Sequence, residues 1–199
     1  NSASNNTAVG YRAGYLNTSG EVVAVGYQAL YNNTTGLGNT AMGYLSQSNN
    51  TTGSYNTSYG SFSMRINSTG TQNSAFGQAA LQNNQTGNDN TAIGMQALYN
   101  NQTGASNTAL GFYALRNGTA GSSNTAIGRD ALSANTASNN TAVGDQALQN
   151  NTTGTPNIAI GLQALRLNTT GSGNVAIGFE AMQQTTTGST NTAIGNGAL

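Results

Sequence analysis

The chain has 199 residues with no Cys, His or Trp, and its five Arg balance five Asp plus Glu at zero net charge. A Cys/His metal site, a His general base, a thiol nucleophile and a disulfide framework are excluded because the residues are absent. Without Lys there is little to neutralise phosphates, so no nucleic-acid partner is expected, and no apolar run approaches the ~18 residues of a membrane-spanning helix.

The chain opens at Asn1 with no basic segment and no apolar stretch behind it, the expectation for a mature or excised piece. With 5% charged residues against a usual ~25%, it reads at first as low complexity, for which disorder is the default. That reading fails because apolar residues recur at fixed places. From Asn6 onward the block Asn-Thr-Ala-aliphatic-Gly places its glycine at Gly10, Gly26, Gly43, Gly60, Gly77, Gly94, Gly111, Gly128, Gly144, Gly161, Gly178 and Gly195. The interval is 17 residues in nine cases and 16 in two, Gly10 to Gly26 and Gly128 to Gly144. A second glycine follows ten residues after the first in all but one full copy, where Ser138 stands instead. Both short copies are aligned as losing a residue between that second glycine and the next Asn, which marks a loop.

With the leading Asn as place 1, the consensus is N-T-A-h-G-x-x-A-L-x-N-N-T-T-G-x-x, present as twelve coils. Repeats this short cannot hold a helix pair, and aliphatic residues flanked by Gly and Asn are strand punctuation. The pattern predicts an all-β fold, a parallel β-solenoid or β-roll forming one domain over residues 1–199 without separate caps or linkers. Two short strands per coil are expected, at places 1 to 4 and at 7 to 10 or 11 to 14. At ~4.8 Å per rung the rod is about 55 Å long.

Along a strand, places 1 and 3 face one way and 2 and 4 the other. Place 3 is Ala except at Ser58, and place 8 is Ala or Ser. Place 4 is a larger apolar residue throughout, as in Ile93, Leu110, Ile127, Ile160 and Ile177, and place 9 is mostly Leu. These read as two apolar sets facing opposite ways, only one of which a 17-residue coil encloses. The sequence does not decide which set is interior; small Ala inside, with the larger residues at an interface, is the preferred arrangement of the two. The outer set is then a stripe longer than a monomer leaves bare, which predicts self-association through Ile93, Leu110, Ile127, Ile160 and Ile177.

Asn recurs at place 1, including Asn39, Asn56, Asn73, Asn90, Asn107 and Asn124, with Val22 the exception. It recurs at place 12 as well, with Gly118 and Thr185 the exceptions. Stacked Asn side chains would bond along the axis, satisfying polar groups that burial makes costly, and corner glycines such as Gly43, Gly94 and Gly128 complete the structural ladder. The sharper alternative is a file of Ca²⁺ along Asn33, Asn50, Asn67, Asn84 and Asn101, although calcium repeats usually supply Asp. Otherwise no cofactor is required. Sequons such as Asn33-Thr34-Thr35 are expected to be a by-product of the ladder, since glycans on every rung would collide. All ten charges fall on places taken as outward, with Arg129 and Asp145 on neighbouring rungs as an expected ion pair. Tyr11, Tyr27 and Tyr44 share one column, and Tyr15 and Tyr31 another.

The Asn-Thr-Ala-Ile-Gly blocks at residues 90–94, 124–128 and 191–195 resemble the head repeats of trimeric autotransporter adhesins of the YadA type and related phage tail-fibre repeats. The resemblance implies a parallel β-roll, homotrimeric in that family, displayed outside the cell and used for adhesion. The coil here is longer by the Asn-Asn-Thr-Thr-Gly segment.

The expected function is that of a structural extracellular, cell-surface or phage-particle fibre subunit whose partner is itself, end to end or laterally. The alternative is an adhesin head with a surface or glycan ligand. Ice binding lacks support because adjacent Thr at places 13 and 14 point to opposite faces. No enzyme is expected, since of the five acids only Asp130 and Asp145 lie on adjacent rungs.

Overall fold

The structure is a computed structural model and describes residues 4–199. Twelve three-residue strands, each at places 2 to 4, stack in chain order into one parallel sheet. They are β1 (Thr7–Val9), β2 (Val23–Val25), β3 (Thr40–Met42), β4 (Thr57–Tyr59), β5 (Ser74–Phe76), β6 (Thr91–Ile93), β7 (Thr108–Leu110), β8 (Thr125–Ile127), β9 (Thr141–Val143), β10 (Ile158–Ile160), β11 (Val175–Ile177) and β12 (Thr192–Ile194). Like pairs with like: Thr91 with Thr108, Ala92 with Ala109, Ile93 with Leu110. The chain is thus an all-β solenoid of about eleven turns with 17-residue coils.

The expected second strand is absent among the described residues, and the reason is local. Places 7 and 9 have positive φ, as at Gln96 (54°) and Leu98 (52°), so places 6 to 11 run as turns. Their amides still bridge coils: Gln96 N donates to Gln78 O at 3.0 Å and Leu98 N to Ala114 O at 3.0 Å. A left-handed residue with a Cβ costs ~1–2 kcal/mol. Burying Leu returns ~1.5–3 kcal/mol, and each coil gains its bridge as well.

The same turn corrects the assignment of the apolar sets. Because places 8 and 9 are not extended, they do not alternate, and Ala97 and Leu98 both point inward and are fully buried. Ala of places 3 and 8 therefore shares the interior with the place-9 Leu column, from Leu30 to Leu165, and only place 4 is left outside. Apart from the buried Asn of places 1 and 12, the interior is apolar except at coils 3 and 4, where Ser46, Gln47, Ser58 and Ser63 form a buried polar layer. Ser46 and Ser58 hydroxyls lie 2.6 Å apart, and Gln47 Nε2 donates to Ser58 Oγ at 2.8 Å and to Thr40 O at 3.0 Å. This layer divides the core into one cluster around Val22, Leu30 and Ala41 and another running from Met64 to Ala193.

The short coils stay in register, Thr7 with Val23 and Thr125 with Thr141, but their missing residue lies elsewhere than the alignment placed it. Asn135 Nδ2 donates to Ala137 O two residues on, at 2.8 Å, where Asn151 reaches Gly154 O three on, at 2.9 Å. Asn17 likewise reaches Ser19 O. Since Thr136 N still pairs with Thr152 O as place 13, the omitted residue is place 14, and Ala137 and Ser19 stand where the second glycine stands in other coils.

Candidate functional surfaces

Two buried Asn columns run along the axis, at places 12 and 1. At place 12, Nδ2 of each Asn donates to Oδ1 of the Asn one coil earlier: Asn50 to Asn33 at 2.7 Å, Asn67 to Asn50 at 2.8 Å, Asn84 to Asn67 at 2.7 Å, Asn101 to Asn84 at 2.7 Å. The second amide hydrogen goes to the place-15 carbonyl of the same coil, as from Asn84 to Gly87 O at 2.9 Å. At place 1 the Oδ1 accepts from the next coil's backbone: Asn56 N to Asn39 Oδ1 at 2.9 Å, then Asn73 to Asn56, Asn90 to Asn73, Asn107 to Asn90 and Asn124 to Asn107, each at 3.0 Å. Its Nδ2 donates to the same place-15 carbonyl, as from Asn90 to Gly104 O at 2.8 Å. The two columns therefore converge on one carbonyl per coil. In stacked 17-residue coils place 15 has no room for a Cβ: on Gly87 it would run into Gly104 O of the next coil and lie 2.5 Å from Asn84 Oδ1 and 2.8 Å from Asn101 Nδ2, whereas the short coils carry Ser19 and Ala137 there.

With the place-12 oxygens of Asn33, Asn50, Asn67 and Asn84 engaged by neighbouring amides, a cation would have to displace a hydrogen bond at each of these rungs, and only the Asn101 oxygen of the candidate file is free of a donor. Chelation with EDTA is accordingly expected to leave the melting temperature unchanged. A fall that Ca²⁺ reverses would establish the calcium file instead.

The amides of the place-12 column all point the same way along the axis, so each break exposes an acceptor. Asn101 Oδ1 and Asn168 Oδ1 are buried without a donor, and the next coils carry Gly118 and Thr185 at place 12. A Cβ on Gly118 would approach Asn135 O at 3.2 Å and Leu115 Cγ at 3.4 Å, so these neighbours must give by a few tenths of an ångström. Gly118→Asn is therefore expected to raise stability by about 1 kcal/mol or more, through a restored donor and a stiffer unfolded chain. Thermal melting checks this, and an unchanged or lower midpoint would show that the break costs nothing.

The outer face of the sheet carries the place-4 column. Ile93, Leu110 and Ile160 are exposed at 39%, 43% and 39%, and Ile127 and Ile177 are half-buried. Met42 and Tyr59, with Val25, Gly43 and Gly60, rim a shallow depression of about 320 Å³ on this face. Place 6 borders the stripe across the glycine corner. There Tyr11, Tyr27 and Tyr44 stack at centroid distances of 5.4 and 5.2 Å, covering one another's faces. Further along, Arg129 grips Asp145 through two bonds, Nε to Oδ2 and Nη2 to Oδ1, both 3.0 Å. That hydrogen bond and the Asp145 charge raise the Arg129 pKa, and the pair is exposed.

A third wall, places 7 and 10, joins the expected Tyr15 and Tyr31 column to arginines not grouped with it from the sequence. Tyr15 and Tyr31 stack there at 5.5 Å, and the Arg12 guanidinium lies 5.3 Å from the Tyr15 ring. Arg65 covers Phe62 at 5.7 Å, and Arg116 sits 4.6 Å from the Tyr113 ring and 5.8 Å from that of Tyr99. Arg116 Nε donates to Gln96 Oε1 at 2.9 Å and Arg166 Nε to Gln149 Oε1 at 3.2 Å. The signal was legible: Arg65, Arg116 and Arg166 all fall on place 10. The Thr hydroxyls of place 13 donate to the place-13 carbonyl of the next coil, Thr34 to Thr51 O and Thr152 to Thr169 O, both at 2.9 Å. Among the described residues no cluster of three or more acids offers a metal site, and no helix is long and apolar enough to cross a membrane. Comparison with protein-family models, curated proteins and solved structures finds no match.

Proposed function

We propose that this protein is a structural rod, a subunit of an extracellular, cell-surface or phage-borne fibre that associates laterally with copies of itself. The observation carrying this reading is the uninterrupted place-4 stripe on the outer sheet face. A strip about 55 Å long, flanked by the place-2 Thr and Val side chains, has an area of the same order as the ~800 Å² per partner of a stable interface. No charge falls on places 2 or 4 in any coil, so nothing on the stripe opposes docking of a like surface. The likeness of the Asn-Thr-Ala-Ile-Gly blocks to YadA-type head repeats supports surface display. No catalytic step belongs to this reading, because the carboxylates are dispersed over separate coils.

Sedimentation over a range of concentrations, with electron microscopy of the same sample, tests the proposal. Paired or bundled rods are the expected outcome; single rods at every concentration would overturn it. The second reading, an adhesive surface, is favoured by the arginine and aromatic wall at places 7 and 10, which the stripe leaves free.

A further inference from the structure

The four arginines of the place-7 and place-10 wall are regularly spaced. Arg12 belongs to coil 1, Arg65 to coil 4, Arg116 to coil 7 and Arg166 to coil 10, so one guanidinium recurs every third rung, about every 14 Å. The column is in register, since the place-10 carbonyls of Arg65, Arg116 and Arg166 each accept from the preceding coil's place-11 amide at 2.9–3.1 Å. None of the four makes an ion pair among the described residues, unlike Arg129 on the neighbouring column. Arg116 and Arg166 are oriented through Nε by Gln96 and Gln149, leaving the Nη fork for a ligand, and Arg12, Arg65 and Arg116 are propped on aromatic rings. Between the arginines the wall is mostly amide and hydroxyl, as at Gln82, Tyr99, Gln149 and Gln163.

We infer that this wall binds a linear anionic polysaccharide lying along the rod axis, with a carboxylate or sulfate at every third sugar. The inference rests on the adhesive reading and is independent of self-association. One rung, ~4.8 Å, is close to the length of one pyranose in an extended glycan, so sugar and coil repeat together. Guanidinium forks hold carboxylate or sulfate bidentately. Gln amides and Tyr hydroxyls match sugar hydroxyls. Nucleic acid is the poorer partner: its affinity comes from many neutralised phosphates, and this wall sets four arginines against Asp130 and Glu180.

The test measures binding of the rod to polygalacturonate, chondroitin sulfate, neutral dextran and single-stranded oligothymidylate, with circular dichroism and particle size followed alongside. At least one acidic glycan is expected to bind and dextran not to. Arg65→Gln/Arg116→Gln/Arg166→Gln is expected to weaken that binding at least tenfold, while Arg129→Gln keeps it within about twofold. Moving one charge by Arg116→Gln with Gln82→Arg, at the same place 10 but orienting no other arginine, keeps the net charge but breaks the spacing, and a several-fold loss is expected. Failure of both acidic glycans to bind, tighter binding of oligothymidylate, or full affinity in the relocated variant would overturn the inference. Monomeric rods that still bind the glycan would overturn only the fibre reading.

Discussion

Ala126→Asp is expected to unfold the coils around it, whereas Ile127→Asp one residue further on should leave the solenoid folded and separate the rods. Ala126 is fully buried against the Ala and Leu columns, and among the described residues no arginine is buried in the coil interior. A carboxylate there has neither water nor a partner, a penalty of more than about 4 kcal/mol. Each coil leans only on its neighbours, so the damage spreads from coil 8 along the stack. Ile127 lies on the outer face and is half-buried, so its replacement stays solvated in the single rod and buries a charge only when two stripes meet. Loss of β-sheet circular dichroism in the first variant, and reduced particle size with full β signal in the second, are the readouts. If Ile127→Asp alters neither, the stripe faces solvent and lateral association through it is wrong.

Gly94→Ala is the second large effect. Gly94 has φ of 126°, a backbone that side chains rarely adopt, and a Cβ there would lie 2.5 Å from Gly111 O of the next coil. Neither can relax alone, because the Gly94 amide is itself tied to Phe76 O at 2.8 Å. Strain and clash together are expected to cost about 3 kcal/mol or more. The corresponding change at Gly195, whose Cβ would meet only Ala198 Cβ at 3.9 Å, keeps the strain without the clash and should cost less. Equal losses from chemical denaturation at the two sites would show that stacking is not what demands glycine at place 5.

Which apolar set lines the interior was not legible in the sequence, whereas the period, the all-β class, the two Asn ladders, the stacked tyrosines and the Arg129–Asp145 pair all were. Each of these follows from repetition: once coils stack in register, a column of like residues meets itself, and what Asn or Tyr does beside its own copy is a matter of elementary chemistry. The position of Leu98 was not legible, because strict alternation assumes extended backbone and the left-handed turn at places 7 and 9 abolishes it. Nor was the omitted place 14 of the short coils, since the hydrogen bond from Asn135 to Ala137, and not glycine matching, decides which residue is equivalent to which. The polar layer of Ser46, Gln47, Ser58 and Ser63 shows the same limit. Ser46 and Gln47 belong to coil 3 and Ser58 and Ser63 to coil 4, so a column-by-column reading records isolated exceptions. Only the closed coil brings place 3 across from places 8 and 9 and lets one rung's exception hydrogen-bond to the next.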